Sequence, residues 1–293
     1  MRMASWRWGG THHAGTVSPC GREVTPLAVP QPERGALRLI QLLARGEPLP
    51  RSVGPRLPIS AVELCSPLPR PLRSLLCVGR NYQAHAAELA GTVFRDSLRA
   101  SASAEDNWPI VFTKFADCVV GPFDAVKLPA RQVSVQIDYE SELAVVIGRG
   151  GIDIPRSRAM DHVCGYTVVN DVSARDVQVR HQQWDLGKSF DTFCPMGPWI
   201  TSADEVDGRD TRVRGWVNGE LRQDGNTRDM IFDIATLIET CSRGITLHPG
   251  DVIVTGTPAG VGMGFTPPRW LKAGDVVKVE IDGIGVIENC FVN

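Results

Sequence analysis

The chain has 293 residues, 43% hydrophobic and 22% charged, so it can bury a sizeable core and lacks the charge-rich, apolar-poor composition of a disordered chain. A formal net charge of -2 and a pI near 6.3, with no long run of like charges, exclude the basic surface of a nucleic-acid or anionic-membrane binder. The expected partner is a small molecule or a second copy of the chain.

Residues 1–10 hold no apolar signal-peptide core, and no stretch of roughly 18 apolar residues occurs, so a soluble, cytoplasmic protein is expected. Residues 3–30 read as short strands broken at Gly9-Gly10 and Cys20-Gly21. A helix over 33–44 follows, with Leu37, Ile40, Leu43 and Ala44 on one face. Pro48, Pro50, Pro55, Pro58, Pro67, Pro69 and Pro71 then forbid any long helix. The division expected here is a small N-terminal α+β domain with its proline-rich connection over 1–71, and a larger domain over 72–293.

Beyond residue 74 the pattern is mostly strand: 75–78, 109–115, 135–147, 163–170, 212–217, 251–255, 276–281 and 286–292. Asn218-Gly219 and Asp282-Gly283 carry the type I′ hairpin signature. Helices are few and short, over 82–89, 173–180 and 231–241, with Gly244 as a stop. No regular strand–helix alternation supports a doubly wound sheet. The eight cysteines, at 20, 65, 77, 118, 164, 194, 241 and 290, form no Cys-x-x-Cys pair and read as small hydrophobes in a reducing compartment.

Several segments could carry chemistry. His85 and Glu88 are i and i+3 neighbours on the 82–89 helix, close enough for a carboxylate to orient an imidazole; a surface pair has the same spacing. Glu140 and Glu142 lie two apart at the start of a strand, on one face. Two buried carboxylates repel, so a cation would explain them, while a solvated strand end fits the pair equally well. Asp171 ends the 163–170 strand and reads by itself as a helix N-cap; with Glu140 and Glu142 it completes an all-oxygen set suited to Mg²⁺ or Mn²⁺ rather than Zn²⁺. Lys188, one of few lysines, is either an oxyanion stabiliser or a snorkelling loop residue. The 255–262 loop, with Gly256 and Thr257, offers backbone N–H groups and a hydroxyl to a carboxylate or carbonyl oxygen, without the frame of a nucleotide loop. Arg175 and Gln178 fit an anionic substrate, and equally the support of the turn holding Asp171.

Together these segments resemble the fumarylacetoacetate hydrolase family, most closely its domain-containing protein 2 type. The resemblance is carried by Val78-Gly79-Arg80-Asn81-Tyr82 with His85 and Glu88, Asp138-Tyr139-Glu140-Ser141-Glu142-Leu143-Ala144 and Asn170-Asp171-Val172-Ser173-Ala174-Arg175-Asp176-Val177-Gln178. Gly187-Lys188-Ser189-Phe190-Asp191-Thr192, Val217-Asn218-Gly219-Glu220 and Thr255-Gly256-Thr257-Pro258 follow in the family's order, over residues 72–293. It implies an α+β, mostly β fold, a mixed β-sandwich roll with a small N-terminal domain, and a homodimer. It also implies Mg²⁺ or Mn²⁺ on Glu140, Glu142 and Asp171, a water-activating dyad of His85 and Glu88, and Lys188 at the oxyanion. Arg175, Gln178 and Thr257, with Gly256 beside them, match substrate-contacting positions.

The expected activity is metal-dependent hydrolysis of the C–C bond of acylpyruvate-like β-diketo acids. The alternative is an oxaloacetate tautomerase or decarboxylase, or an isomerase of a related 2-oxo diacid, at the same site. All need an enolate held by a cation and Lys188. The stretch 91–108, longer than usual for the family, is expected to act as a lid.

Overall fold

The computed structural model describes residues 1–89 and 108–293. The expected lid therefore lies, apart from Trp108, outside the described residues.

The centre of the molecule is one large mixed sheet. Its strands run in the order Leu57–Pro58, Glu23–Pro26, Thr11–Val17, Arg2–Trp8, Cys194–Ser202, Val163–Asn170, Ser141–Ile147, Val252–Val254, Leu75–Gly79 and Ile110–Lys114. A second sheet of five strands orders Glu220–Asn226, Arg212–Val217, Val276–Ile281, Gly285–Val292 and Val126–Lys127. The described helices are short, as the scarcity of helical periodicity implies, and the fold is α+β and mostly β.

Strand Ser141–Ile147 explains its own unbroken apolar run, because both of its faces are covered. Leu143, Val145 and Ile147 pack with Val213, Val277, Val279 and Ile287 of the second sheet. Ala144 and Val146 face the other way, with Cys77, Val254 and the helix Leu37–Ala44 through Leu37, Leu39 and Ile40. Each fully buried aliphatic side chain contributes about 1.5–3 kcal/mol of transfer free energy, so this strand is the firmest place to anchor a charged site.

The N-terminal segment is hydrogen-bonded into the same sheet, Arg2 and Met3 pairing with Thr201 and Ile200. That contact uses a strand the sequence hides. Cys194–Ser202 contains Pro195, Gly197 and Pro198, which read as breakers, yet it pairs with both Arg2–Trp8 and Val163–Asn170. The hairpin at Asn218-Gly219 is of the expected type, with φ of 51° and 80°. The other differs: of Asp282 and Gly283 the glycine alone has positive φ, and Ile284 N–H bonds back to Ile281 O, so three residues make the connection. The expected helix at 173–180 is a short strand, Ser173–Ala174, followed by the helix Arg175–His181.

Candidate active site

Glu140 stands one residue before strand Ser141–Ile147, and Glu142 is its second residue. The antiparallel neighbour Val163–Asn170 ends opposite, where Asn170 pairs with Ser141. Asp171 N–H then bonds Glu140 O at 2.9 Å, and Asn170 Oδ1 accepts from Glu140 N at 3.1 Å. Two strand ends thus bring three carboxylates together. Each of Glu140, Glu142 and Asp171 offers an oxygen within 4.8 Å of the others, and all three are buried. Asp171 is no helix cap: the following helix has Ala174 at its N-cap, without a side-chain bond.

Charge around the cluster is unevenly shared. Burial opposes ionisation of Glu140, but Arg175 and then Lys188 outweigh it and hold its carboxyl below the usual carboxylate range. Burial, reinforced by Asp171 and Glu140, instead pushes the Glu142 carboxyl well above that range. An added cation would relieve that strain, and all-oxygen donors suit a hard divalent ion, so the residues present fit the Mg²⁺ or Mn²⁺ expected from the sequence.

Lys188 is buried, not snorkelling. Its Nζ lies 2.5 Å from Glu140 Oε2 and 2.8 Å from Asp171 Oδ2. The helix Asp185–Lys188 reaches this depth because Gly187 lies against Gln178; a Cβ there would come within 2.6 Å of Gln178 N. His85 is 2% exposed, and its Nδ1 is 3.1 Å from Glu88 Oε2. His85 therefore turns its other ring nitrogen away from Glu88, and the residue lines a narrow cleft together with Glu140, Glu142 and Lys188. Phe112 and Trp184 form an aromatic wall of that cleft, packed edge-on with ring centroids 5.3 Å apart.

Arg175, Gln178 and Thr257 also line the cleft. Arg175, however, commits all three of its nitrogens inside the protein: Nε to Asp138 at 2.9 Å, Nη1 to Gln178 at 3.2 Å and Nη2 to Glu140 at 2.7 Å. Of the two roles open to it in the sequence, support of the carboxylate framework is the one drawn by these bonds. Thr257 Oγ1 donates to Ser141 O and accepts from Gln223, at 3.1 and 2.7 Å.

The 255–262 loop does use its N–H groups on carboxylates, but on the protein's own. Gly256 donates to Glu142 Oε2 at 2.6 Å, Gly260 to Glu88 Oε1 at 3.0 Å and Gly262 to Asp138 Oδ1 at 2.6 Å. Gly256 can do so only at φ 99°, with Val78 O 3.1 Å from where a Cβ would stand.

Two residues of the framework carry no role in the sequence reading. Asp138 binds Arg175 and the N–H groups of Gly262 and Met263. Lys114 is fully buried at the end of strand Ile110–Lys114, with Nζ 2.8 Å from Asp171 Oδ1 and 3.1 Å from Val172 O, and bonded also to Lys188 O. The only sequence signal was a lysine closing an apolar strand in a chain poor in lysine.

The family description "Fumarylacetoacetate (FAA) hydrolase C-terminal" matches residues 74–292. The chain is 47% identical over 232 residues to oxaloacetate tautomerase YisK of Bacillus subtilis, covering 79% of this chain and 73% of that protein. It is 47% identical over 241 residues to the human mitochondrial oxaloacetate tautomerase FAHD2A, covering 81% and 72%. The solved structure of a fumarylacetoacetate hydrolase from Exiguobacterium antarcticum superposes with a TM-score of 0.84 at 38% identity, covering 100% of this chain and 99% of that one. Among the described residues, no helix is long and apolar enough to cross a membrane.

Proposed function

From the premise that the chain belongs to the fumarylacetoacetate hydrolase family, we propose that it is an enzyme interconverting the keto and enol forms of oxaloacetate at a divalent metal centre. The observation that carries this reading is a buried, carboxylate-oriented imidazole, His85 on Glu88, facing the same cleft as Lys188 and the three acids. The relatives named oxaloacetate tautomerases support it, each 47% identical over about four-fifths of the chain.

A divalent ion on Glu140, Glu142 and Asp171 would polarise the 2-oxo group of the substrate. His85 takes a proton from C3, and the C–H electron pair becomes the C2–C3 double bond. The carbonyl electrons move to the C2 oxygen, where the ammonium of Lys188 hydrogen-bonds the developing negative charge. Glu88 stabilises the imidazolium and keeps its outer nitrogen aimed at the cleft. Delivery of the same proton to oxygen completes the enol, so nothing is consumed.

Acylpyruvate hydrolysis, the activity first expected from the sequence, is the weaker reading. It needs the same enolate chemistry and, in addition, a water aimed at a remote carbonyl. Its support is the name of a solved structure at 38% identity, against 47% for the named tautomerases. The deciding assay follows the enol absorbance of freshly dissolved oxaloacetate with Mn²⁺, beside pyruvate release from acetylpyruvate. Rapid enol–keto equilibration with little pyruvate formed is expected; efficient acetylpyruvate cleavage without tautomerisation overturns the reading.

A further inference from the structure

Two rings and one glycine set how far the cleft runs from the acids. Lys188 Nζ lies 5.0 Å from the centroid of the Phe112 ring, and that ring packs on Trp184 with centroids 5.3 Å apart. The wall that begins at the ammonium therefore ends on the indole. Trp184 caps the helix Asp185–Lys188 at its N-terminus, four residues before Lys188, so both side chains leave one side of the helix for the same cleft.

The indole has little freedom to retreat. Gly79 ends the strand Leu75–Gly79 directly against it: a Cβ there would come within 2.3 Å of Trp184 Cζ3 and 2.8 Å of Cη2, so the ring rests on bare backbone. Arg80 stacks on the same ring, its guanidinium carbon 5.7 Å from the centroid. Val261 and Met263 pack with Trp184 from the loop that also fixes Glu88 through Gly260. The helix itself is fastened to the strand that carries Phe112, because Asp185 Oδ1 accepts from Thr113 N at 3.0 Å and from the Thr113 hydroxyl.

We propose that Trp184 is the specificity-determining residue that limits the length of the 2-oxo acid, its indole meeting the chain just beyond C4. The inference rests on the enolisation reading above and names the substrate class within it: short 2-oxo acids, in preference to those with longer acyl tails. The acids and Lys188 take the polar head of the substrate, so the carbons beyond C2 fall to the apolar side, along Phe112 toward the indole. Arg80 over that ring places positive charge at the same end, where a four-carbon diacid brings its second carboxylate. A longer chain must push the indole into the Gly79 backbone. Ring against backbone cannot yield as the tip of a flexible side chain does, so overpacking is costly here.

The test is calorimetric titration of the Mn²⁺-loaded full chain with oxamate, N-methyloxamate and N-butyloxamate. These carry the carboxylate and adjacent carbonyl of a 2-oxo acid, cannot form its enol, and differ in length. The native protein is expected to bind N-methyloxamate at least ~10-fold more tightly than N-butyloxamate, and Trp184→Ala to abolish or reverse that preference. Affinities for Mn²⁺ and for oxamate itself should be unchanged. Trp184→Leu keeps an apolar filler and should fall between the two; circular dichroism checks folding, and the leucine variant decides if the alanine variant is unfolded. Equal binding of both N-alkyl oxamates by the native protein, or the native preference persisting in a folded variant, overturns the proposal and leaves the enolisation reading standing. A Mn²⁺-loaded native protein that binds no oxamate at all removes that reading, and the inference with it.

Discussion

His85 Nδ1 stands 3.1 Å from Glu88 Oε2, and the other Glu88 oxygen is fixed 3.0 Å from Gly260 N. The carboxylate is thus held at both ends, so the imidazole plane is set by the backbone of a distant loop. In the proposed reaction an imidazole held in this way would need no reorganisation when substrate arrives. His85→Ala should lower the tautomerisation kcat by about 10²–10⁴-fold while leaving Mn²⁺ affinity intact, and Glu88→Gln should lose less. Steady-state kinetics beside calorimetry reads both quantities; a His85→Ala enzyme with native kcat would remove the dyad from the mechanism.

Lys188 should behave in the opposite way toward metal. Its Nζ sits 2.5 Å from Glu140 Oε2 and 2.8 Å from Asp171 Oδ2, so it competes with a cation for the same oxygens. Lys188→Met is therefore expected to bind Mn²⁺ more tightly and yet turn over about 10²–10³-fold more slowly, having lost the donor at the developing enolate. Affinity and kcat falling together would instead mean that Lys188 merely maintains the shape of the acid cluster.

Much of this centre was legible in the sequence because it depends on local spacing. The two-residue spacing brings Glu140, at the strand's entry, and Glu142, within it, to one site, and three residues along a helix fix the His85–Glu88 contact. Long-range pairing has no such signature. The sequence could not show that Arg2–Trp8 lies against Cys194–Ser202, since the prolines of the latter argue against a strand. Nor could it show that Lys114 meets Asp171, 57 positions later, because that contact is made only when strand Ile110–Lys114 joins the sheet edge. For Arg175 it left two roles open, and only the positions of Asp138 and Glu140 distinguish them.

The raised Glu142 carboxyl makes metal binding and stability depend on pH with a definite sign. Its folded-state value lies above that of the unfolded chain, so without an ion its contribution to stability is present at low pH and is lost as pH rises through the raised value. A divalent ion would reverse this by binding the ionised form. Mn²⁺ should therefore raise the melting temperature more at pH 8 than at pH 5, and its affinity should fall on acidification. Thermal melts across that range check this; an Mn²⁺ shift independent of pH would contradict the environment assigned to Glu142.

Arg175 offers the sharpest contrast between support and substrate contact. Its guanidinium bridges Asp138 and Glu140, at 2.9 and 2.7 Å, in a region where none of the three is appreciably exposed. Removing one partner of such a buried group leaves uncompensated charge and costs about 3–5 kcal/mol. Arg175→Met should accordingly lower the melting temperature by roughly 5–15 °C, with substrate absent from the cell. Gln178→Ala, which removes a neutral partner 3.2 Å from the same guanidinium, should cost much less stability. Asp138 also anchors Gly262 and Met263 of the loop that carries Gly256 and Gly260, so the Arg175 variant should loosen the supports of Glu142 and Glu88 together. If Arg175→Met melts like the native protein and only raises KM for oxaloacetate, then Arg175 serves the substrate, as the family resemblance implied, and the bonds to Asp138 and Glu140 are incidental.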